Sequence, residues 1–411
     1  MKRALSTFTA LLTLLAASSA WAGMVDTYGI GARAAAMGGA VSASASPAFA
    51  PYYNPAALTK AKRASITAGS LVTQPEVSID NYSMKEEPST DFTDDTDPLV
   101  VPHISAVLPM GVRFTAGVAV YVPWGMKIDW KKNTLGAHNS YHSEYLREVI
   151  TPTLAWKATD KLSIGGGISF GQSETGASFI RYKSNTTFEG KLKDDFNTSF
   201  NVGALYQATD RLSMGLTYRS RTSADFEGDL KINGVKTTTV KMSYDHPEQI
   251  QTGVAYRLGK AKNILVEADA TWTNWSINKS QLETFSPAIH NQNSKETPRN
   301  WDDTVKYSLG VEWVINPTIT LRGGYLWDPT PVPDESLDFI WPDGDKHILS
   351  IGTGLTFGQF TVDIAASYAN IPGRRVIKGE SGALNPSYGK KVSLVADGKV
   401  YNIGITTTYH F

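Results

Sequence analysis

The chain has 411 residues, with 39 Lys+Arg against 39 Asp+Glu, no cysteine, 35 glycines, 10 Trp, 18 Tyr and 15 Phe. A net charge of zero gives no electrostatic footprint for a phosphate backbone, so nucleic acid is not an expected partner. The absence of cysteine removes thiol catalysis, disulfides, Cys-ligated zinc and iron–sulfur clusters, and no cofactor is expected.

Residues 4–22 form the one long apolar stretch, directly behind Lys2 and Arg3, and end on Ala20-Trp21-Ala22. Small residues at those positions suit a signal peptidase, so residues 1–22 are expected to be a cleaved signal peptide and the mature chain to begin at Gly23. No later stretch offers about 20 consecutive apolar residues. An exported chain of this kind that enters a membrane must cross it as a closed β-barrel, the only other way to satisfy backbone hydrogen bonds in lipid.

Residues 23–61 are dominated by Gly, Ala, Ser and Pro, with only Asp26, Arg33 and Lys60 charged. The run from Gly31 through Arg33 and Met37 to Gly38-Gly39 predicts a short helix and a tight turn, and Asn54-Pro55-Ala56 a second turn. A segment of small residues with no core of its own must pack inside something else or stay mobile. Gly29-Ile30-Gly31-Ala32-Arg33-Ala34 matches a dinucleotide-binding pattern, but no buried strand precedes it and no βαβ unit follows.

From residue 62 to 411 the hydrophobic period is two. Tyr401, Ile403, Ile405, Thr407, Tyr409 and Phe411 share one face, with Asn402, Gly404, Thr406, Thr408 and His410 on the other; Ile348 breaks an otherwise regular run from His347 to Phe357. Apolar residues outward and Gly, Ser, Thr and charges inward is the alternation of an outer-membrane barrel, although a soluble sandwich would share it. Connection lengths decide. Short links such as Pro109-Met110-Gly111 and Asn316-Pro317-Thr318 alternate with long polar stretches at residues 73–97, 127–144, 220–246, 277–300, 328–345 and 371–397. All short turns then lie at one end and all long loops at the other, and the run count gives about 14 strands, an even number typical of bacterial barrels. Phe411 preceded by Tyr409 looks like the signal read by the outer-membrane assembly machinery.

The whole mature chain resembles the long-chain fatty acid outer-membrane transporters of the FadL type, including relatives that admit aromatic hydrocarbons. The resemblance rests on residues 31–39 and the Asn54-Pro55-Ala56 turn, on residues 247–253 followed by Trp272-Thr273-Asn274-Trp275-Ser276, and most specifically on Leu321-Arg322-Gly323-Gly324-Tyr325, Thr330-Pro331-Val332-Pro333-Asp334-Glu335 and Pro342-Asp343-Gly344-Asp345-Lys346. Lys346 stands where arginine is expected, and the connection around residues 172–193 is short for the family. The resemblance implies a 14-stranded antiparallel barrel in the bacterial outer membrane, surrounded by lipid and lipopolysaccharide. A hatch, residues 23–61 with Gly31, Arg33, Met37, Gly38, Gly39, Asn54, Pro55 and Ala56 as its marked positions, would plug the lumen. Substrate would be captured outside, bind in the lumen, and leave sideways after hatch movement at an inward kink in the third strand. Arg113, Gly117, Pro123 and Gly125 mark that strand, and glycine within a strand often marks a bend.

Parity points Arg113, Arg147, Arg219, Arg257, Glu267, Asp269, Lys306, Glu312, Arg322 and Asp363 inward. Such charges either form a salt-bridge network holding barrel and hatch or include basic groups for a substrate carboxylate, because a partly desolvated charge needs a partner. Arg147 and Lys306 are the first choices for the carboxylate, with Glu312 and Arg322 as further lumenal candidates. His138 and His142 in a polar loop, and Asp91, Asp94, Asp95 and Asp97, read as solvated side chains rather than metal ligands. Gly167-Ile168-Ser169-Phe170-Gly171 matches a nucleophile elbow but sits in an alternating strand with no helix after it. The expected function is passive import of a hydrophobic compound, first a long-chain fatty acid and alternatively an aromatic or alkane hydrocarbon. An outer-membrane lipid hydrolase, the alternative from another class, would need a Ser-His pair near the lipid boundary that no spacing supplies.

Overall fold

The computed structural model describes residues 29–84, 88–182, 184–289, 291–376 and 392–411. The expected signal peptide, residues 23–28 and most of the connection after residue 376 lie outside the described residues. The fold is a closed antiparallel barrel of 14 strands. In chain order these are β1 (Ser65–Met84), β2 (Leu99–Met110), β3 (Phe114–Asp129), β4 (His142–Lys157), β5 (Leu162–Ile180), β6 (Thr187–Gln207) and β7 (Leu212–Arg219). Then follow β8 (Gln249–Leu258), β9 (Ile264–Thr273), β10 (Thr304–Val314), β11 (Ile319–Asp328), β12 (Lys346–Phe357), β13 (Phe360–Val376) and β14 (Val392–His410). The barrel closes where β1 pairs with β14, from Ser65 opposite His410 upward.

Burial removes the soluble-sandwich alternative. Ile403 is 65% exposed and Leu349 61%, whereas Thr406 is 3% exposed. The apolar face is thus the outer one, row after row, a surface that water would not tolerate and a lipid bilayer satisfies. Aromatic pairs band this surface near both ends of the strands, Phe360 with Tyr409 at 5.0 Å near the short turns and Tyr307 stacked on Trp327 at 5.9 Å toward the long connections. Ile348 breaks the parity of β12 because it points inward and is buried in the lumenal cluster.

Three of the long polar stretches, residues 73–97, 220–246 and 277–300, are not loops, as read from sequence, but are largely extended chain. Residues 73–84 continue β1, a hairpin of Thr222–Ile232 and Val235–His246 prolongs β7 and β8, and a second hairpin, Ser280–Ile289 with Gln292–Pro298, follows β9. Polarity misled because, beyond the lipid band, the outward face becomes charged while the inward face stays apolar, as Val77, Ile79 and Tyr82 on β1 show. Asp91 and Asp94 are likewise not merely solvated. Asp91 accepts the Asn81 N–H at 2.7 Å and Asp94 the Val77 N–H at 2.7 Å, fixing the return after β1.

His138 and His142 also have protein partners. His138 Nδ1 lies 2.9 Å from the Ile180 carbonyl, and His142, outside the lipid band, lies 2.5 Å from Asp129 and 3.4 Å from Glu144. Burial alone would lower the His142 pKa, but the hydrogen bonds and charges of Asp129 and Glu144 push it up from 6.5 to about 9. A folded value above the unfolded one stabilises fully below about pH 6.5 and is lost as pH rises through about 9. Hydrogen exchange in residues 129–142 is therefore expected to speed up across that window beyond its intrinsic rise, and His142→Ala to abolish the effect; identical profiles would refute the clamp.

Residues 29–61 fill the lumen. Their short helices α1 (Ala32–Ala36) and α2 (Ala50–Tyr53) and the turn Pro55–Lys60 are almost entirely buried. Small residues on both sides allow this. A Cβ at Gly117 of β3 would come 2.7 Å from Leu58, at Gly165 of β5 2.6 Å from the Pro55 backbone, and at Gly310 of β10 2.7 Å from Met37. Gly38 combines a φ of +62° with a site where a Cβ would come 2.9 Å from the Tyr325 backbone, so only glycine suits it.

Candidate functional site: an anchored hatch, a broken wall and an arginine cavity

The hatch is held by lumenal carboxylates. Arg33 donates to Glu312 at 2.8 Å, and Arg322 of β11 donates to the same Glu312 at 2.8 Å and to Asp363 of β13 at 2.7 Å. On the neighbouring strand β9, Asp269 accepts the N–H groups of Val41 and Ser42 at 3.0 and 2.9 Å, and Glu267 accepts that of Ala43 at 2.6 Å. Asn54 donates to the Ser42 and Ala204 carbonyls at 2.8 and 3.0 Å and accepts from the Ala56 N–H, tying the second turn to β6. Pro55 and Ala56 follow it against β5. Glu312 and Arg322 therefore sit in a network with Arg33, the arrangement expected of groups that seat a plug.

β3 is where the wall departs from regularity. Its ladder with β4 runs to Tyr121 opposite Val149 and resumes at Trp124 opposite Arg147, so Val122 and Pro123 share the single residue Glu148. This is a β-bulge, and proline, with no N–H to donate, suits such a position. Before it, inward residues are odd-numbered, with Ala119 and Tyr121 in the hatch cluster; after it Trp124, Met126 and Ile128 point into the lumen. On its other side β3 pairs with β2 only from Phe114 to Val120. Leu99 to His103 of β2 pair with β1 alone, and Trp124 to Asp129 of β3 with β4 alone. The ladder between β2 and β3 is thus broken over the bulge, and contact returns only at the bridge of Asp94 with Trp130. Pro123 and the buried Gly125 flank this break and Gly117 lies below it against the hatch. Arg113 does not belong here: it lies in the exposed turn at the opposite end of the strand, because the turn takes residues 111–113 and β3 starts at Phe114.

Beside the bulge a cavity of about 40 Å³ is lined by Tyr52, Tyr121, Trp124, Arg147, Arg219 and Gln249, among others. Arg147 is 3% exposed and donates to Asn197 at 2.8 Å and Ser199 at 3.1 Å. Arg219 donates to Gln249, Gln251 and the Tyr52 carbonyl, its guanidinium 4.8 Å from the centre of the Tyr52 ring. Among the described residues neither arginine is ion-paired, whereas Arg33 and Arg322 both are. Two guanidiniums hydrogen-bonded to neutral oxygens rather than to carboxylates suit an incoming anion. Lys306 shares the lumenal face of β10 with Glu312, opposite Thr271 of β9, and does not line this cavity. Parity alone identified Arg219 as inward; its meeting with Arg147 across strands far apart in sequence needed the register.

Above the cavity the lumen is aromatic. Trp124 stacks on His246 at 5.7 Å and meets Trp275 edge-on at 5.5 Å, and Tyr145 hydrogen-bonds His246. The proline-rich segment after β11 folds over this space and buries Phe339 and Trp341 in it. It is fastened by Arg299 with Asp338 at 2.7 Å and by Lys346 with Asp343 at 2.8 Å, so lysine serves where arginine was expected. Ser169, in the elbow-like pattern, lies in unbroken β5 and is hydrogen-bonded to Thr151 at 2.8 Å.

A closed barrel with a lipid-facing apolar surface, a bound internal plug and no membrane-spanning helix among the described residues defines an outer-membrane channel protein. The chain belongs to the outer membrane protein transport protein family (OMPP1/FadL/TodX), whose sequence model matches residues 12–411. It is 22% identical over 403 residues to the long-chain fatty acid transport protein of Escherichia coli O6:H1, covering 87% of each chain. Its fold matches a Pseudomonas aeruginosa FadL homologue with a TM-score of 0.80 at 19% identity, over 96% of this chain and 100% of the other. It matches the Ralstonia pickettii toluene transporter TbuX with a TM-score of 0.70 at 16% identity, over 93% and 99%. The protein is an outer-membrane transporter of hydrophobic compounds and not an enzyme.

Proposed function

We propose that the chain imports long-chain fatty acids, binding the carboxylate at Arg147 and Arg219 and releasing the molecule sideways through the break between β2 and β3. The observation that carries this reading is the pair of arginines, Arg147 buried and Arg219 half-buried, neither ion-paired among the described residues, next to that break and below an aromatic lumen. An acyl chain gains about 0.8 kcal/mol per CH₂ on leaving water, so an aromatic upper lumen and a lateral exit into lipid make passage downhill without an energy source. In a water-filled pore the chain would gain nothing. The aromatic upper lumen supports a second reading, an aromatic hydrocarbon such as toluene, which needs no basic group.

Titration of the purified barrel with palmitate and with toluene separates the two. Arg147→Ala is expected to weaken palmitate by about ten-fold or more, as for loss of a charged hydrogen bond, and to leave toluene unchanged. Lys306→Ala, away from the cavity, is expected to have the smaller effect. Tight toluene binding with palmitate indifferent to Arg147→Ala would transfer the assignment to hydrocarbons.

A further inference from the structure

Outside the lipid band, the hairpins after β7 and β9 and the segment after β11 enclose a second pocket of about 50 Å³. Tyr244, Asp245, Asn278, Gln281, Trp301 and Trp341 line it. Its walls hold four polar atoms without a hydrogen-bond partner: Tyr244 Oη, Trp301 Nε1, Asn278 Nδ2 and Asp245 Oδ1. Trp301 is 3% exposed and Asn278 7%. Leaving a buried polar group unpaired is destabilising, so four in one place call for an occupant.

The chemistry of the four atoms limits that occupant. Trp301 and Asn278 can only donate through these nitrogens, Tyr244 can donate or accept, and Asp245 can only accept. The charges nearby are already matched, Arg299 by Asp338 at 2.7 Å and Asp245 by Arg221. An added carboxylate would therefore stay uncompensated, while a hydroxyl accepts hydrogen bonds from the donors and donates one to Asp245. The flanks are apolar and flat: Trp301 meets Trp341 edge-on at 5.5 Å and Tyr244 stacks on Trp341 at 6.3 Å. The same aromatic residues belong to the cluster that lines the upper lumen.

We propose that this pocket is a separate subsite for the hydroxyl end of an otherwise apolar molecule, a phenol or a fatty alcohol, so that the transporter accepts neutral oxygenated hydrocarbons as well as acids. The inference rests on the reading of the chain as a hydrophobic-compound channel but not on the Arg147 cavity. It extends the range of substrates from one charged head group to an uncharged one.

Phenol and toluene have nearly the same size and differ in one hydroxyl, so paired titrations of the full chain in detergent isolate the contribution of these atoms. Wild type is expected to bind phenol more tightly than toluene. Tyr244→Phe and, separately, Asn278→Ala are expected to lower phenol affinity by roughly five-fold, the loss of one neutral hydrogen bond, with toluene altered less than two-fold. Both variants keep the aromatic walls, and the heat-modified gel mobility typical of an intact barrel reports folding. Phenol affinity unchanged in both folded variants overturns the subsite and leaves ordered water as the occupant. Wild type that binds toluene or palmitate but not phenol overturns the subsite alone, whereas failure to bind any of the three overturns the transport reading too.

Discussion

Replacing Glu312 by alanine is expected to unseat the hatch and make the barrel leak. Glu312 receives hydrogen bonds from Arg33 on the hatch and Arg322 on the wall, and both arginines are largely buried. Breaking a buried ion pair by removing one partner costs about 3–5 kcal/mol, since the remaining charge has lost its compensation. Asp363 still serves Arg322, so Arg33 bears most of the loss. The cost falls on the seated state of the hatch rather than on the barrel, whose backbone ladders do not involve this side chain. Proteoliposomes carrying Glu312→Ala should release a small fluorescent solute much faster than wild type, with Glu312→Gln between the two. A folded Glu312→Ala barrel as tight as wild type would show that the carboxylates of the neighbouring strand, Glu267 and Asp269, suffice.

Deleting Pro123 is expected to abolish uptake while the protein still folds and binds its substrate. The bulge places two residues, Val122 and Pro123, opposite one. Taking out Pro123 leaves Tyr121 inward, Val122 outward and Trp124 inward, which is a regular strand with every other contact of β3 kept in place. The ladder with β2 can then continue past Val120, and a continuous wall leaves no route from the lumen into lipid. Uptake should fall by about an order of magnitude or more without a matching loss of palmitate affinity, a split that mere misfolding would not produce. Normal uptake in the deletion variant would place the exit elsewhere.

Period-two alternation was enough to define the barrel because one residue in two must face lipid, and Ile403 and Thr406 take the sides their chemistry demands. The same alternation failed at two kinds of place. At the bulge one extra residue reverses the count, so that Trp124, Met126 and Ile128 face inward although parity carried on from Tyr121 would turn them out. Beyond the membrane the outward face turns polar, and strand looked like loop in the hairpins at residues 222–246 and 280–298. Site residues were legible as inward charges, but not their grouping. Arg33 with Glu312, and Arg147 with Arg219, join residues whose proximity depends on barrel closure and on how deeply the hatch is inserted. Arg113 shows the converse, since a shift of one residue in the strand boundary moved it from the lumen to an exposed turn.

The path of the substrate is the central claim, and photolabelling traces it most directly. A fatty acid carrying a diazirine at the end of its chain would be bound to the barrel in membranes, irradiated, and the labelled peptides sequenced. The account predicts label on residues 97–110 and 114–129, the two sides of the broken ladder, including Val101 and Val122. Label confined to residues 29–61 and the turns at the periplasmic end would contradict it and send the substrate straight through the hatch.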